Sequence, residues 1–350
     1  MGVSLSIADA IEPLRGEWDE LADRLEAPPH LYASFLEAWR TAIAPADSLH
    51  VVVARRGAAL VGVLPLTGSR FGLSTPPRYG RTGGMASEPE VLDAMWVHAL
   101  DVLRPGAVRL GPVEKEAPEH RALVAAAQRA GFPVSQWVHS ELTAIDCVGD
   151  WETYLGGRSK NLRKDLRRRL RRLSESGEQV LEFHRGDAAE GKPFDELLVL
   201  EGSGWKGREG SAVVSSLPQL DFYRALARWT AARDALGVSI LRFEGKPIAA
   251  NLAIDFHGVS YQLKSGYDER QSAFSPGKLL LAADIEQAFD NGISTIDLGG
   301  HAEEYKLPWT TSTQSVCEVE AYLSGPRGGV RRFARQVHHR VSNRTVETVA

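Results

Sequence analysis

The sequence predicts a mixed α/β fold built twice over. Short apolar runs such as residues 49–54 and 59–66 read as strands bounded by turn residues. Longer segments such as 89–103 and 218–236 space their apolar residues as helices do. Both halves of the 350-residue chain follow one order, namely helix, hairpin strands, loop, helix, strand, with no repeat at residue level. That length suits two domains better than one.

In the first half, residues 34–43 carry Phe35, Leu36, Trp39 and Ile43 at helical spacing, with Ser34 in the capping place. Strands 49–54 and 59–66 follow, joined at Arg56-Gly57. A Pro- and Gly-rich loop leads to helix 89–103, strand 108–110, helix 120–130 and strand 141–146. A join falls near 148–157, where Asp150 caps a new beginning. The second half reads as helix 194–201, loop 202–211 and helix 218–236. Strands 239–244, 248–256 and 259–264 come next, turning at Gly245-Lys246 and His257-Gly258. Helix 278–290, strand 294–298 and strand 316–323 complete it. The expected division is therefore residues 1–147, 148–325 and a basic tail, 326–350.

Composition excludes several classes. Hydrophobic residues at 43% and charged residues at 25% are globular values, and a net charge of −4 argues against a nucleic-acid binder by bulk charge. Cys147 and Cys317 fit neither a disulfide framework nor a metal-ligand pattern, so no metal is expected. No apolar run approaches the 18 residues of a spanning helix, and the N-terminus lacks a signal-peptide pattern. The expected location is cytoplasmic, with the inner-membrane surface as an option.

The charge is unevenly placed. Residues 158–172 hold nine Lys/Arg against one Asp, net +8. Leu162, Leu166, Leu170 and Leu173 give the helix 158–173 one apolar seam and a cationic exterior. Such a helix suits a polyanion: the phosphates of coenzyme A, a tRNA, an anionic lipid surface or a nucleotide-linked sugar. Residues 327–344 add six Arg and two His with no acid. Their stripe of Val330, Phe333, Val337 and Val341 is compatible with docking on the body, a homodimer contact or a membrane surface.

Three stretches carry candidate chemistry. In SAFSPGKLL, Ser275 stands at the N-cap, Pro276 at the first helical position, and Gly277 leaves the backbone open beside Lys278. Free amides at such a helix start suit a phosphate. The strand holding Tyr261 and Lys264, and the loop holding Tyr267, lead into it. Next, a strand ends at Asp297, followed by Gly299-Gly300 and the cluster His301, Glu303, Glu304, Tyr305, Lys306, up to Trp309. This run supplies a base, a proton donor and a cation. Finally, EGSGWKGREGSA sets Trp205 in a glycine-rich loop beside Lys206 and Arg208, cations suited to carboxylates or phosphates. Neither a GxGxxG nor a GxxxxGK[ST] motif occurs.

EGSGWKGREGSA, YDERQSAFSPGKLL and the closing DLGG…YKLPW together resemble the CelD/BcsL-type acetyltransferases of the GNAT superfamily, relatives of the FemAB aminoacyltransferases. The resemblance spans about residues 34–323, and its motifs are more specific in the second half. It implies two tandem GNAT-like domains and transfer of an acyl group, acetyl above all, from acyl-CoA to an amine of a polar, sugar-linked or cell-envelope acceptor. It places the CoA pyrophosphate at Ser275, Pro276, Gly277 and Lys278, with the pantetheine beside Tyr261 and Lys264. Asp297, Glu304, Tyr305 and Lys306 become the catalytic candidates, and Trp205, Lys206, Arg208, Tyr267, His301 and Trp309 the acceptor side. The usual GNAT pyrophosphate signature, Q/R-x-x-G-x-G/A, is absent, and QSAFSPGK offers one glycine at the turn. The FemAB relatives depart from it too and take aminoacyl-tRNA. An aminoacyl-tRNA ligase is therefore the second reading, and a non-catalytic scaffold in polysaccharide synthesis the third.

Overall fold

The computed structural model describes residues 2–69, 71–76, 83–300, 302–323, 325–341 and 346–349. The chain forms two compact units, residues 1–141 with 314–350, and residues 142–313. Residues 314–325, expected in the second domain, and the tail from 326 both return to the first unit.

The first unit contains strands β1 (Ser4–Ala8), β2 (Ser48–Arg56), β3 (Ala59–Ser69), β4 (Gly72–Ser74), β5 (Met85–Ala86) and β6 (Ala107–Glu114). Its helices are α1 (Arg15–Arg24), α2 (Ala33–Ile43), α3 (Pro89–Leu103) and α4 (Pro118–Arg129). Strand β7 (Val134–Asp146) carries the chain into the second unit. The hairpin β2–β3 is antiparallel with Val53 opposite Val63, and β3 is buried on both faces over most of its length. Leu92, Met95, Trp96 and Leu100 of α3 pack with Leu123 of α4 on Leu64, Leu66, Val108 and Leu110 of the strands. Tyr32, and not Ser34, occupies the N-cap of α2, because the Ser34 hydroxyl donates instead to Asp19 of α1.

The second unit opens with α5 (Trp151–Gly156), capped by Asp150 as expected, and α6 (Lys160–Ser176). Strand β8 (Gln179–Arg185) and helices α7 (Lys192–Ser203), α8 (Trp205–Arg208) and α9 (Leu217–Ala231) follow. Then come β9 (Leu236–Phe243), β10 (Lys246–Phe256), β11 (Val259–Tyr267), α10 (Pro276–Asp290) and β12 (Thr295–Asp297). Helix α9 ends before the expected 236. Asp234 adopts a left-handed φ of 54° and the Ala235 amide returns to the Thr230 carbonyl at 2.8 Å, which closes the helix. The strand order is β8–β9–β10–β11–β12 and then the end of β7, with only β11–β12 parallel. That parallel pair is the one joined through a helix, α10, as parallel strands require.

Leu162, Leu166 and Leu173 of α6 enter the core of this unit beside Leu280, Ile285, Ile296 and Trp309. Leu170, expected on the same seam, is 49% exposed, so the apolar face is narrower than its spacing suggests.

Strand β13 (Ser312–Tyr322) returns the chain to the first unit beside β6, and α11 (Pro326–Val341) and β14 (Val346–Val349) end it. Helix α11 docks on its own unit. Arg331 and Arg335 each place Nε at 2.9 Å from the fully buried Glu320 carboxylate of β13. Charge-assisted bonds of this kind fix the helix far more firmly than exposed ion pairs. Among the described residues, no helix is long and apolar enough to cross a membrane.

One half-buried acid in the second unit stands apart from the candidate chemistry. Asp284 of α10 faces a cavity of about 260 Å³ and accepts a hydrogen bond from the Asn251 amide at 2.5 Å. Burial pushes its carboxyl up to about 6, against which its hydrogen bonds to Ser239 and Asn251 act only in part. A carboxyl raised on folding stabilises the fold below its unfolded value and loses that contribution as pH rises to about 6. Asp284→Asn is therefore expected to flatten the fall in stability between pH 4 and pH 6. Urea unfolding across that range checks it, and an unchanged slope would show that Asp284 does not titrate there.

Candidate functional site

The pairing of β12 with β11 covers only Val259–Tyr261. Beyond it, from 262 to 267, no strand pairs with that edge of β11 among the described residues. The opposite edge stays on β10, where the register slips at Leu252/Ala253 and leaves Leu263 unpaired in a β-bulge. A cavity of about 630 Å³ occupies the gap. It is lined by this stretch of β11, by 298–300 after β12, by the start of α10 and by the turn around Trp205 and Lys206.

Each wall has a local cause. After β12, the Asp297 carboxylate accepts from the Gly299 amide at 2.8 Å and closes a turn. Gly299 takes a φ of 63°, and a Cβ there would stand 2.6 Å from the Gln262 carbonyl, so no other residue fits. The buried Lys306 ammonium donates to the Gly299 carbonyl at 2.6 Å and lies 3.1 Å from Glu303. It clamps the turn from inside.

The turn at Trp205 is tied down by Glu269. That carboxylate accepts from the Trp205 amide at 2.8 Å and from Arg208 at 2.9 and 3.0 Å. Gly207 is compulsory here, since a Cβ would meet the Gly202 carbonyl at 1.8 Å. Trp205 itself remains 45% exposed against the cavity.

At the start of α10, Ser275 holds the N-cap position but not the expected role. Its φ of 52° is left-handed and its side chain makes no capping bond. The Lys278 and Leu279 amides turn back onto the Ser275 carbonyl at 3.0 and 3.2 Å. The Gly277 amide is left without an acceptor among the described residues. Lys278 pairs with Asp165 of α6 at 2.9 Å, and Asp165 also binds Arg168 and Arg169. These three cations hold the Asp165 carboxyl well below the usual carboxylate range, although desolvation opposes them. Arg169 further donates to the Ala273 carbonyl at 3.2 Å. The Arg-rich helix is thus fastened to the loop that precedes α10.

Most expected residues converge. Trp205, Lys206, Lys264, Tyr267, Ser275, Gly277, Lys278, Tyr305, Lys306 and Trp309 all line the cavity. Several take different duties from those expected. Trp309 is 1% exposed and belongs to the core, where its carbonyl accepts from Tyr154, so it is a wall more than a contact. Arg208 is committed to Glu269, and Asp297 to its turn. Asp297, Glu304, Tyr261, Pro276 and Arg208 do not line the cavity, and Pro276 is buried. His301 lies outside the described residues. Local burial, and then the Glu303 charge, hold the Tyr305 phenol above its usual range, although 56% of the residue is open. It therefore stays protonated at neutral pH.

The sequence reading missed Glu201 and Glu269, and it named Glu303 only as a member of its charged cluster. Glu201 ends an apolar helix and is 2% exposed. Its place in EGSGWKG, beside two cations, was the available signal. Both cysteines are free, and burial pushes the Cys147 thiol up to about 11, which leaves it unreactive at neutral pH.

Residues 160–307 match the family model of a GNAT acetyltransferase domain. This stretch lies wholly in the second unit and contains the cavity lining except Trp309, so that unit carries a GNAT acetyltransferase-type domain. No curated protein matches the sequence. Solved structures share the fold at low identity. FemX aligns with a TM-score of 0.61 at 12% identity, covering 95% of this chain and 99% of its own. The DUF2156 domain of a putative lysylphosphatidylglycerol synthetase from Agrobacterium fabrum aligns at 0.59 and 12%, covering 93% and 97%. A tandem GNAT protein from the clavulanic acid biosynthesis pathway aligns at 0.52 and 14%, covering 92% and 100%. The fold is accordingly mixed α/β, as the sequence implied, with the GNAT acetyltransferase-type domain in the second unit.

Lys306→Met is expected to lower the unfolding free energy by roughly 1–3 kcal/mol, because the Gly299 carbonyl loses its buried donor. Urea denaturation measures this. A variant as stable as the wild type would contradict the clamp and return Lys306 to a purely chemical role.

Proposed function

We propose that the second unit transfers an acyl group, acetyl in the simplest case, from acyl-CoA to an amine of a polar acceptor. The observation that carries this reading is the coincidence of a free β11 edge, a bulge at Leu263 and an open α10 start around one cavity. A strand edge with unpaired amides and carbonyls accepts an extended, amide-bearing chain, and the pantetheine arm of CoA is one. The Gly277 amide and the α10 dipole favour its pyrophosphate. Lys278 and Arg169 stand beside that point, their charges shared with Asp165. The cationic face of α6 extends the same anion-attracting surface toward the rest of the nucleotide.

The chemistry asks little of the protein. A neutral amine attacks the thioester carbonyl, and the oxyanion is held by a backbone amide, for which the bulge at Leu263 supplies a candidate. A base near the cavity accepts the amine's proton. Glu303 lines the cavity, whereas Glu304 and Asp297 do not, so Glu303 takes the place expected of them. The protonated Tyr305 is placed to donate to the leaving thiolate. Similarity to the CelD/BcsL type directs the choice toward sugar-linked or envelope acceptors and a cytoplasmic or inner-membrane setting.

The fold also suits a FemAB-like ligase, and the Arg-rich α6 favours that alternative, since a tRNA would follow its charge. The two separate on salt dependence. Binding to tRNA falls steeply with salt, whereas CoA, with few phosphates, loses little.

Gly277→Val tests the donor site with small risk to the fold, because an added Cβ meets only the Tyr267 ring at 3.6 Å. In calorimetric titration, wild-type protein is expected to bind acetyl-CoA saturably, and the variant at least tenfold more weakly with an unchanged thermal midpoint. Equal affinity would move the donor away from α10. No binding by the wild type would remove the acyl-CoA reading.

A further inference from the structure

Beside the donor wall, the cavity holds a cluster that acyl transfer leaves unused. The Glu201 side chain is fully buried. Its Oε2 accepts from the Val213 amide at 2.9 Å. Its Oε1 has no hydrogen bond at all, only the ammonium groups of Lys264 at 3.5 Å and Lys206 at 3.8 Å. Lys206 donates to the Ser265 carbonyl at 2.9 Å, and Lys264 sits 5.1 Å from the centre of the Tyr223 ring. An ammonium has three donors, so most of these remain unspent. Both side chains keep open surface, 26% for Lys206 and 19% for Lys264, and both line the cavity.

The charge balance is positive. Glu201 and Glu303 face Lys206, Lys264 and Lys306, while Glu269 is taken by Arg208 and Lys278 by Asp165. Burial, together with Lys264 and Lys306, makes the charge on Lys206 unfavourable, and Glu201 and Glu303 offset this in part. Both ammonium groups stand within 4 Å of one oxygen, so a single carboxylate or phosphoryl group can touch both.

We propose that Lys206 and Lys264 form an anion subsite for the acceptor. The amine to be acylated then belongs to a molecule that also bears a carboxylate or phosphate, and Glu201 holds the two ammonium groups side by side to receive it. The assignment of the anion to the acceptor rests on the acyl-transfer reading. The subsite itself can be tested without turnover.

The test is lysine labelling of the full chain by an uncharged N-hydroxysuccinimide ester, read by mass spectrometry. Inorganic phosphate is titrated with chloride holding ionic strength constant, with and without saturating CoA, and the exposed Lys246 serves as reference. Phosphate is expected to slow labelling of Lys206 and Lys264 at least threefold and saturably, with CoA present, and to leave Lys246 unchanged. Lys206→Met should abolish the protection at Lys264. Glu201→Gln should weaken half-saturation severalfold, because the carboxylate that holds the two ammonium groups side by side is gone, and unchanged half-saturation would overturn that role. Should Glu201→Gln fail to fold, Lys206→Met alone decides. Absent or unsaturable protection, or unchanged protection in Lys206→Met, overturns the subsite. CoA alone giving full protection, with phosphate adding nothing, assigns the cluster to the donor and equally overturns the proposal. Phosphate protection in a protein that fails to bind CoA would sink the acyl-CoA reading and leave the subsite standing.

Discussion

The partnership of β11 and β12 lasts three residues, and the cavity exists because it stops there. A parallel strand pair normally seals both edges. Here the chain turns away at Asp297, and Gly299 can make that turn only because it tolerates a positive φ close against the Gln262 carbonyl. Lys306 holds the turn from a buried position. What remains is a half-buried strand edge facing the cavity, with no strand beside it among the described residues. The donor reading follows from that constraint, since an amide-bearing arm completes the edge.

In each unit, acidic side chains fasten the glycine- and arginine-rich parts of the sequence. Glu269 ties the glycine-rich turn at Trp205 to the loop before α10. Asp165 ties the Arg-rich helix to Lys278 at the helix start. Glu320 anchors α11 to the first unit. Asp165 and Glu320 each collect two or more cations, and Glu269 collects Arg208 and a backbone amide. Part of the charge asymmetry of the sequence is thus internal wiring, while most of the cations of α6 stay exposed.

Much of this is legible in the sequence. Helix α10 begins where Ser-Pro-Gly says it must, and α3 matches its apolar spacing to the residue. The three motif stretches converge on one cavity because each combines glycine with charge, the signature of backbone that must approach something closely. The rest was hidden for identifiable reasons. Strand β1 was missed because it is only five residues long, and β8 because charged residues interrupt its alternation. Glu201 looked like the polar end of an apolar helix, and its burial depends on lysines that lie beyond the helix. Asp297 and Glu304 were reasonable bases by residue type. Only the turn geometry shows that Asp297 is spent on an amide, and only the lining of the cavity favours Glu303. The return of β13 to the first unit is a long-range pairing, which no local pattern encodes.

The most direct test of the account is amide hydrogen exchange with and without CoA, resolved at the β11 edge. Coenzyme pairing with that edge should slow exchange at residues 262–267 and at Gly277, and leave β9 and β10 unaffected. Protection confined to the surface of α6, with the edge of β11 exchanging as before, would contradict the account and show that the gap between β11 and β12 is not where the donor lies.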